Sequence, residues 1–498
     1  MLLSFFGIVF SVIAVVILFG MTVFVHELGH FLVARWVGMR AEVFSIGFGP
    51  AIWKKKVGET EYRISWIPFG GYVMLPQLDP EAMQKIQGQS ESDGAEKKIA
   101  AAVWWKRILV SLGGPLGNVL FAIILAFIVA VLPPPLVMDK NLSFGGAVIG
   151  AIAEDAPAAE AGLRRGDMIV AINGNKVDAW YDFASETQFG ALKHTDVVDG
   201  TNVVRYSVKA DVTNILDGAT ARLELPVTEN EFGHFTVSKI EEAHPVSIEY
   251  FTTDFPEGNA PAELAGLKAG DVIVSIGGIR VVGVGHCISL IRESSGEPLV
   301  LRYFRKGAIG ETTIEAVLCT VENENDENGE NENVDSEEIE KEPVYKIGAK
   351  LNQEFNIAAV WLQHRKPFAQ INGDAGKIRR SLEALFAPKQ KGESGRAGKA
   401  MGGPVMIFVS MWATISAGLA GTLAFMRFIS INLAILNLLP LPVLDGGHIV
   451  FALWRGIFGR EIHPKILNAM VLFFAILLIT LMLFLTGRDI SFIGKKFL

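Results

Sequence analysis

A run of residues built to avoid charge nevertheless carries three ionisable groups. Met1 to Val25 contains no charged residue, and the apolar run resumes at Phe31-Leu32-Val33-Ala34; between them stand His26, Glu27 and His30. On a helix, positions i and i+4 lie one above the other, so the two imidazoles can grip one Zn²⁺ ion. Glu27 follows the first of them, where a general base can take a proton from an attacking water. Ionisable groups at membrane depth are costly and mark function. The plainer reading is a buried helix whose histidines are merely hydrogen-bonded.

The rest of the chain must supply a membrane protein around that stretch. Half of its 498 residues are hydrophobic, a fifth are charged and the mean hydropathy is +0.36, too apolar for an ordinary soluble enzyme. Four windows offer the roughly 20 apolar residues that a bilayer requires: 3–25 (extending to 34), 112–132, 422–440 and 467–486. The first is no signal peptide, since it lacks a basic start and its apolar run is too long. Lysine and arginine crowd the connection from Ala34 to Ser111 and are absent before the first span. The positive-inside rule therefore places that loop in the cytoplasm and the N-terminus outside. The long segment after the second span then lies on the outer side.

The net charge of −8 is a local effect. Eleven acidic residues against Lys341 alone lie between Glu322 and Glu342, which leaves the remainder close to neutral. No nucleic-acid partner is expected. Cys287 and Cys319 both fall in the outer segment, where a disulfide and two free thiols are equally open.

Within the first loop, 35–111, the stretches Glu42–Pro50 and Thr60–Leu75 read as short β-segments punctuated by Pro68 and Gly70-Gly71. A small sheet beside a membrane metal site can receive an extended peptide by strand addition; a local hairpin is the alternative. Asp79–Glu96 is polar. Gly113-Gly114-Pro115-Leu116-Gly117-Asn118 opens the second span with small residues that let helices approach, and its amide needs a partner at that depth.

After Pro133-Pro134-Pro135 an internal repeat begins. Ala161–Gly174 recurs as Ala265–Gly278 at a constant offset of 104 residues, each copy preceded by Pro-Ala. The pattern, a short helix, a Gly-Asp turn and a strand, resembles PDZ domains, which bind peptides by β-augmentation. The expected modules span 145–230 and 235–320. An acidic insertion at 321–344 cannot bury a core and should stay disordered. A connector at 345–420 follows, with helical apolar spacing from Phe368 to Phe386.

Catalytic zinc needs a third protein ligand. In the third span, 421–448, Pro440 and Pro442 break the helix just before Asp445, so unpaired backbone must line a cavity or be buried in protein. Given the histidine pair, Asp445 is the better third ligand and His448 its rival.

Taken together, His26-Glu27-Leu28-Gly29-His30 and Asn437-Leu438-Leu439-Pro440-Leu441-Pro442-Val443-Leu444-Asp445-Gly446 resemble the site-two protease family of intramembrane zinc proteases. Gly47-Phe48-Gly49 and Gly113-Gly114-Pro115 also match regions of that family, whereas the acidic run departs from it. The resemblance implies a polytopic α-helical membrane protein of about four transmembrane helices, with a membrane-associated β-sheet and two PDZ-like α+β domains. It implies His26, His30 and Asp445 as zinc ligands and Glu27 as general base. Asn437, Pro440 and Pro442, with Gly47, Phe48 and Gly49 of the sheet, would hold the substrate backbone. The implied substrates are single-pass membrane proteins within the lipid bilayer, such as trimmed anti-sigma factors and remnant signal peptides, in a bacterial inner membrane. The active site would face the cytoplasmic side, and the PDZ-like domains, with their peptide ligands, the periplasm. A zinc transporter and a PDZ scaffold without proteolysis are the rival readings.

Overall fold

The computed structural model describes residues 2–78, 102–132, 142–198, 201–230, 234–252, 255, 259–320, 343–353, 362, 366–416 and 418–497. The polar stretch 79–96 and the acidic stretch 321–342 lie outside them. The chain divides into two compact units: Met1–Pro133 with Trp361–Glu383 and Met401–Leu498, and Pro134–Val360 with Ala384–Ala400.

The first unit opens with helix α1 (Leu2–Trp36), then strands β1 (Val43–Val57) and β2 (Thr60–Met74), then helix α2 (Trp104–Val131). The two strands fold over on themselves. Val43–Ile46 takes partners on both sides, Gly71–Met74 and Glu61–Ile64, so two long strands make a small sheet. Phe31 and Ala34 of α1 bury against Phe44 of β1 and Val110 of α2, which fixes the sheet beside the metal motif.

The second unit holds the two repeats. The first contains β3 (Ala147–Ile152), α3 (Pro157–Glu160), β4 (Asp167–Ile172), β5 (Asn175–Lys176), α4 (Trp180–Gly190), β6 (Leu192–Val198), β7 (Thr201–Asn214), β8 (Thr220–Glu229), β9 (Phe235–Thr236) and β10 (Ile240–Glu242). The second contains β11 (Val246–Phe251), α5 (Pro261–Leu264), β12 (Val272–Ile276), β13 (Ile279–Arg280), α6 (Val284–Glu293), β14 (Leu299–Arg305), β15 (Ala308–Ile314), β16 (Val317–Thr320), β17 (Pro343–Lys346) and β18 (Ala349–Gln353). Strand order is β10-β3-β4-β7-β8-β9 in the first and β15-β14-β12-β11-β18 in the second.

The repeated Gly-Asp pair has one local cause. Gly166 and Gly270 take φ of 82° and 85°, a region other residues avoid. The aspartate after each then folds back to accept a backbone N–H, Arg164 to Asp167 and Lys268 to Asp271, both at 2.7 Å. Behind each turn lies an apolar core, Ile149, Ile169 and Leu225 in one copy, Ile248, Ile273 and Leu301 in the other.

The second sheet extends past residue 320. β16 and β17 pair antiparallel across the acidic stretch, and β18 joins β11 from Val246–Gln353 to Phe251–Ala349. The acidic residues are thus inserted into the module instead of following it; in the sequence their charge hides two strands of four and five residues. Both cysteines are free, and burial pushes the Cys287 thiol up to about 12.

Helices α7 (Pro367–Phe386), α8 (Glu393–Ala400), α9 (Pro404–Ser416), α10 (Leu419–Asn437), α11 (Asp445–Phe458) and α12 (Pro464–Phe497) complete the chain. Among the described residues, four helices are long and apolar enough to cross a membrane: Ile13–Trp36, Trp104–Val131, Leu419–Asn437 and Pro464–Gly494. The connector proves to hold a separate apolar helix, α9, too short to register as a span. Asp489 of α12 accepts the backbone N–H groups of Gly403 and Met406 at the start of α9. Inside the bundle Arg427 of α10 is 1% exposed and donates to Asp374 at 2.6 Å and Gln370 at 2.5 Å, both on α7.

Candidate metal centre

The site lies wholly in the first unit and is assembled from helices α1, α2, α10 and α11. His26 and His30 are 6% and 9% exposed, one turn apart on α1, with ring centroids 4.8 Å apart. Their Nε2 atoms stand 3.2 Å from each other. Asp445 brings Oδ2 to 3.1 Å from His26 Nε2 and Oδ1 to 3.3 Å from His30 Nε2. Asp445 can be there because α10 stops at Asn437 and α11 starts at Asp445 itself, on either side of Pro440 and Pro442. Two glycines close that turn: a Cβ on Gly446 would fall 2.2 Å from the Leu439 carbonyl, and one on Gly447 would fall 2.2 Å from that of Leu441.

These residues fit a cation. The Nδ1 of His30 lies 2.7 Å from the Val110 carbonyl. A carbonyl only accepts, so Nδ1 carries the proton and the neutral ring turns a lone pair at Nε2 toward His26. Asp445 Oδ2 is buried and receives no hydrogen bond from the described residues. Lone pairs and a carboxylate thus converge with too few protons among them. The 3.2 Å between the two Nε2 atoms approaches the roughly 3.3 Å edge of a tetrahedron with bonds of about 2.0–2.1 Å, the zinc value, and each nitrogen has one Asp445 oxygen within 3.3 Å. Space is kept by Gly114 of α2, where a Cβ would stand 2.3 Å from His30 Nε2 and 2.7 Å from His26 Nε2. Among the described residues this is the group of three or more metal-ligating side chains whose donor atoms converge; His448, in the first turn of α11, is outside it.

Glu27 stands beside the two histidines and against the sheet. A Cβ on Gly71 would lie 3.5 Å from its Cγ, and the backbone N–H of Val73 hydrogen-bonds its carboxylate. Asn437 brings Nδ2 to 3.2 Å from His26 Nε2, against the ligand set itself. Gly47, Phe48 and Gly49 lie further along β1; Phe48 packs over Gly70 and stacks on Tyr72 with centroids 6.1 Å apart. Pro442 is buried and Pro440 is exposed, both in the link between α10 and α11.

Helix α2 makes contacts that sequence reasoning assigned to packing alone. A Cβ on Gly29 would stand 2.1 Å from the Gly113 carbonyl, and one on Gly117 would stand 2.9 Å from that of Val25, so the two backbones touch. That approach delivers the Val110 carbonyl and the Asn118 amide to the far sides of the two histidines. The glycines and the lone amide were the available signal; their contact with the histidines was not visible.

Side chains able to hold a metal ion converge beside a carboxylate, on and among helices long and apolar enough to cross a membrane, an arrangement that fits a metal-dependent hydrolase. A family model described as peptidase family M50 matches residues 14–481, and the chain belongs to that family. It is similar to the regulator of sigma-E protease RseP of Escherichia coli K12, 27% identical over 493 residues that cover 96% of this chain and 97% of that protein. It is likewise similar to RseP of Salmonella typhimurium 14028s (28% identical; 97% and 99% covered) and to protease RseP of Yersinia pestis (28%; 97% and 99%). A Vibrio cholerae protein provisionally named a zinc metalloprotease is 28% identical over 92% of this chain and 93% of its own length. The chain is an intramembrane zinc metalloprotease acting on membrane-protein substrates. The transporter and scaffold readings have no support among these relatives.

Proposed function

We propose that His26, His30 and Asp445 hold the zinc ion and that Glu27 is the general base. The observation that carries this is the convergence of two imidazole Nε2 atoms, 3.2 Å apart on α1, with the Asp445 carboxylate of α11, whose Oδ2 and Oδ1 stand 3.1 Å and 3.3 Å from them, and with Glu27 one residue along from His26. Zinc held there would polarise the scissile carbonyl and acidify the attacking water. Glu27 takes the water's proton and later passes it to the leaving amine. Asn437 and the Pro440–Pro442 turn hold the substrate backbone.

A transmembrane helix hides its own carbonyls, so the substrate must unwind before cleavage. The Gly71–Val73 edge beside Glu27 is where an unwound segment can add as a strand, with Gly47, Phe48 and Gly49 flanking it. The substrates on this reading are single-pass proteins already trimmed outside, such as anti-sigma factors, and remnant signal peptides.

The two repeats are PDZ-like modules. In the second, edge strand β18 and helix α6 border a groove of about 640 Å³ lined by Ile288, Ile291, Ile347 and Leu351, with Arg292 and Lys350 among its charged groups. In the first, Gln188 of α4 accepts the Phe235 backbone N–H, and Arg396 of α8 donates to the Phe189 carbonyl, so chain segments occupy the matching region. The protein sits in a bacterial inner membrane, with the metal centre toward the cytoplasm and the repeats on the periplasmic side, following the lysine and arginine bias of the first loop.

Glu27→Gln tests the mechanism: cleavage of a model transmembrane substrate falls to background while zinc content holds. Cleavage at the wild-type rate would refute it. Zinc content of Asp445→Ala and His448→Ala tests the ligand set: loss in the first and retention in the second is the expected pair.

A further inference from the structure

Asn118 of α2 is fully buried, and one end of its amide meets the metal motif. Its Nδ2 lies 3.1 Å from His26 Nδ1, while its Oδ1 has no hydrogen-bond partner among the described residues. The two ends of an amide are assigned by the network they enter. Here the network decides. His26 Nε2 faces His30, Asp445 and Asn437, so it must keep its lone pair if it is a ligand, and Nδ1 then carries the proton. A protonated Nδ1 can only donate, so the amide oxygen, not the nitrogen, belongs opposite it.

We propose that Asn118 is a positioning residue whose side-chain carbonyl accepts the Nδ1–H of His26, fixing the tautomer and ring direction that leave Nε2 free to ligate. His30 is held by the same device in backbone form, Nδ1–H to the Val110 carbonyl at 2.7 Å. Helix α2 therefore orients both imidazoles from one side, and the Gly29–Gly113 and Val25–Gly117 approaches exist to bring it close enough. Partners of this kind, one bond beyond the ligand, typically change metal affinity by about 10- to 100-fold when removed.

The inference rests on His26, His30 and Asp445 as ligands, and its test separates the two. The full chain in detergent is titrated with a zinc chelator, and cobalt-substituted protein gives the ligand-field spectrum. Asn118→Leu, which keeps the volume and removes the acceptor, should weaken zinc retention about 10- to 100-fold and shift the cobalt bands. Asn118→Asp, which can only accept, should restore retention to within a few-fold of wild type. Should the aspartate fail to fold in the apolar span, Asn118→Thr against Asn118→Val repeats the comparison with side chains of one shape that differ in an acceptor. Full retention in Asn118→Leu, or equal losses with and without the acceptor in folded protein, overturns the proposal. His26→Ala in the same titration tests the ligand set: zinc lost there but kept in Asn118→Leu sinks only the role of Asn118. Zinc kept in His26→Ala sinks the ligand reading itself.

Discussion

Polar groups buried among the apolar helices of the first unit and ion pairs on the surface of the second make a contrast in cost. In the first, polar side chains among apolar helices come in closed clusters that tie helices together: His26, His30, Asn118 and Asp445 in one, Arg427, Asp374 and Gln370 in another. In the second, ion pairs such as Arg222–Asp211 and Arg164–Asp217 lie at the surface, where each is worth about 0–1 kcal/mol. Glu242, at the edge of β10, is half-buried with no ion-pair partner among the described residues, and burial pushes its carboxyl up to about 7. Removing one polar group from either cluster of the first unit should thus be severe, because it orphans the others, whereas breaking one of these surface pairs of the second should be mild.

Gly114→Ala should be the harshest break. Its Cβ would occupy the space between the two Nε2 atoms, so zinc content and cleavage should both fall to background, measured by metal analysis and a model-substrate assay. Next, Arg427→Leu leaves Asp374 buried without its cation and should cost about 3–5 kcal/mol in unfolding of the detergent-solubilised chain. Arg427→Leu with Asp374→Leu should recover most of that loss, whereas equal losses would show that the pair is not what matters. In the second unit, Arg292→Glu with Lys350→Glu should weaken binding of an acidic peptide about 3- to 10-fold, with catalysis on a short substrate unchanged. The last effect is one of pH, at Glu242. Its folded carboxyl holds a proton that the unfolded chain releases from about pH 4.5, so stability should decline as pH rises from 4.5 to 7 and then level off. Glu242→Gln should abolish that slope, read as hydrogen exchange of the β3 and β10 amides at pH 5 and 8.

Much of the first unit was legible because its signals are local. His26 and His30 are one turn apart, so helical geometry alone puts them on one face. Asp445 was found through the prolines that break its span. What escaped is what only packing creates: Gly114 and Asn118 look like ordinary helix-contact residues until α2 lies against α1. The position of β18 was hidden for another reason, since a long charged insertion separates it from its sheet. Helix α9 was missed because a largely apolar stretch of 13 residues is too short to be read as a span.

The pairing of β16 with β17 sets the terms on which this chain can vary. Its two strands meet in a ladder running from Val317–Lys346 to Thr320–Pro343, and joining two such fixed ends by a longer flexible connection costs in general only about 0.6 kcal/mol for each doubling of length. Residues 321–342 therefore mark a permissive address, where sequence can be gained, lost or exchanged while the module's register stays fixed. An affinity tag or fluorescent reporter spliced there would report on the full-length protease without touching its metal centre.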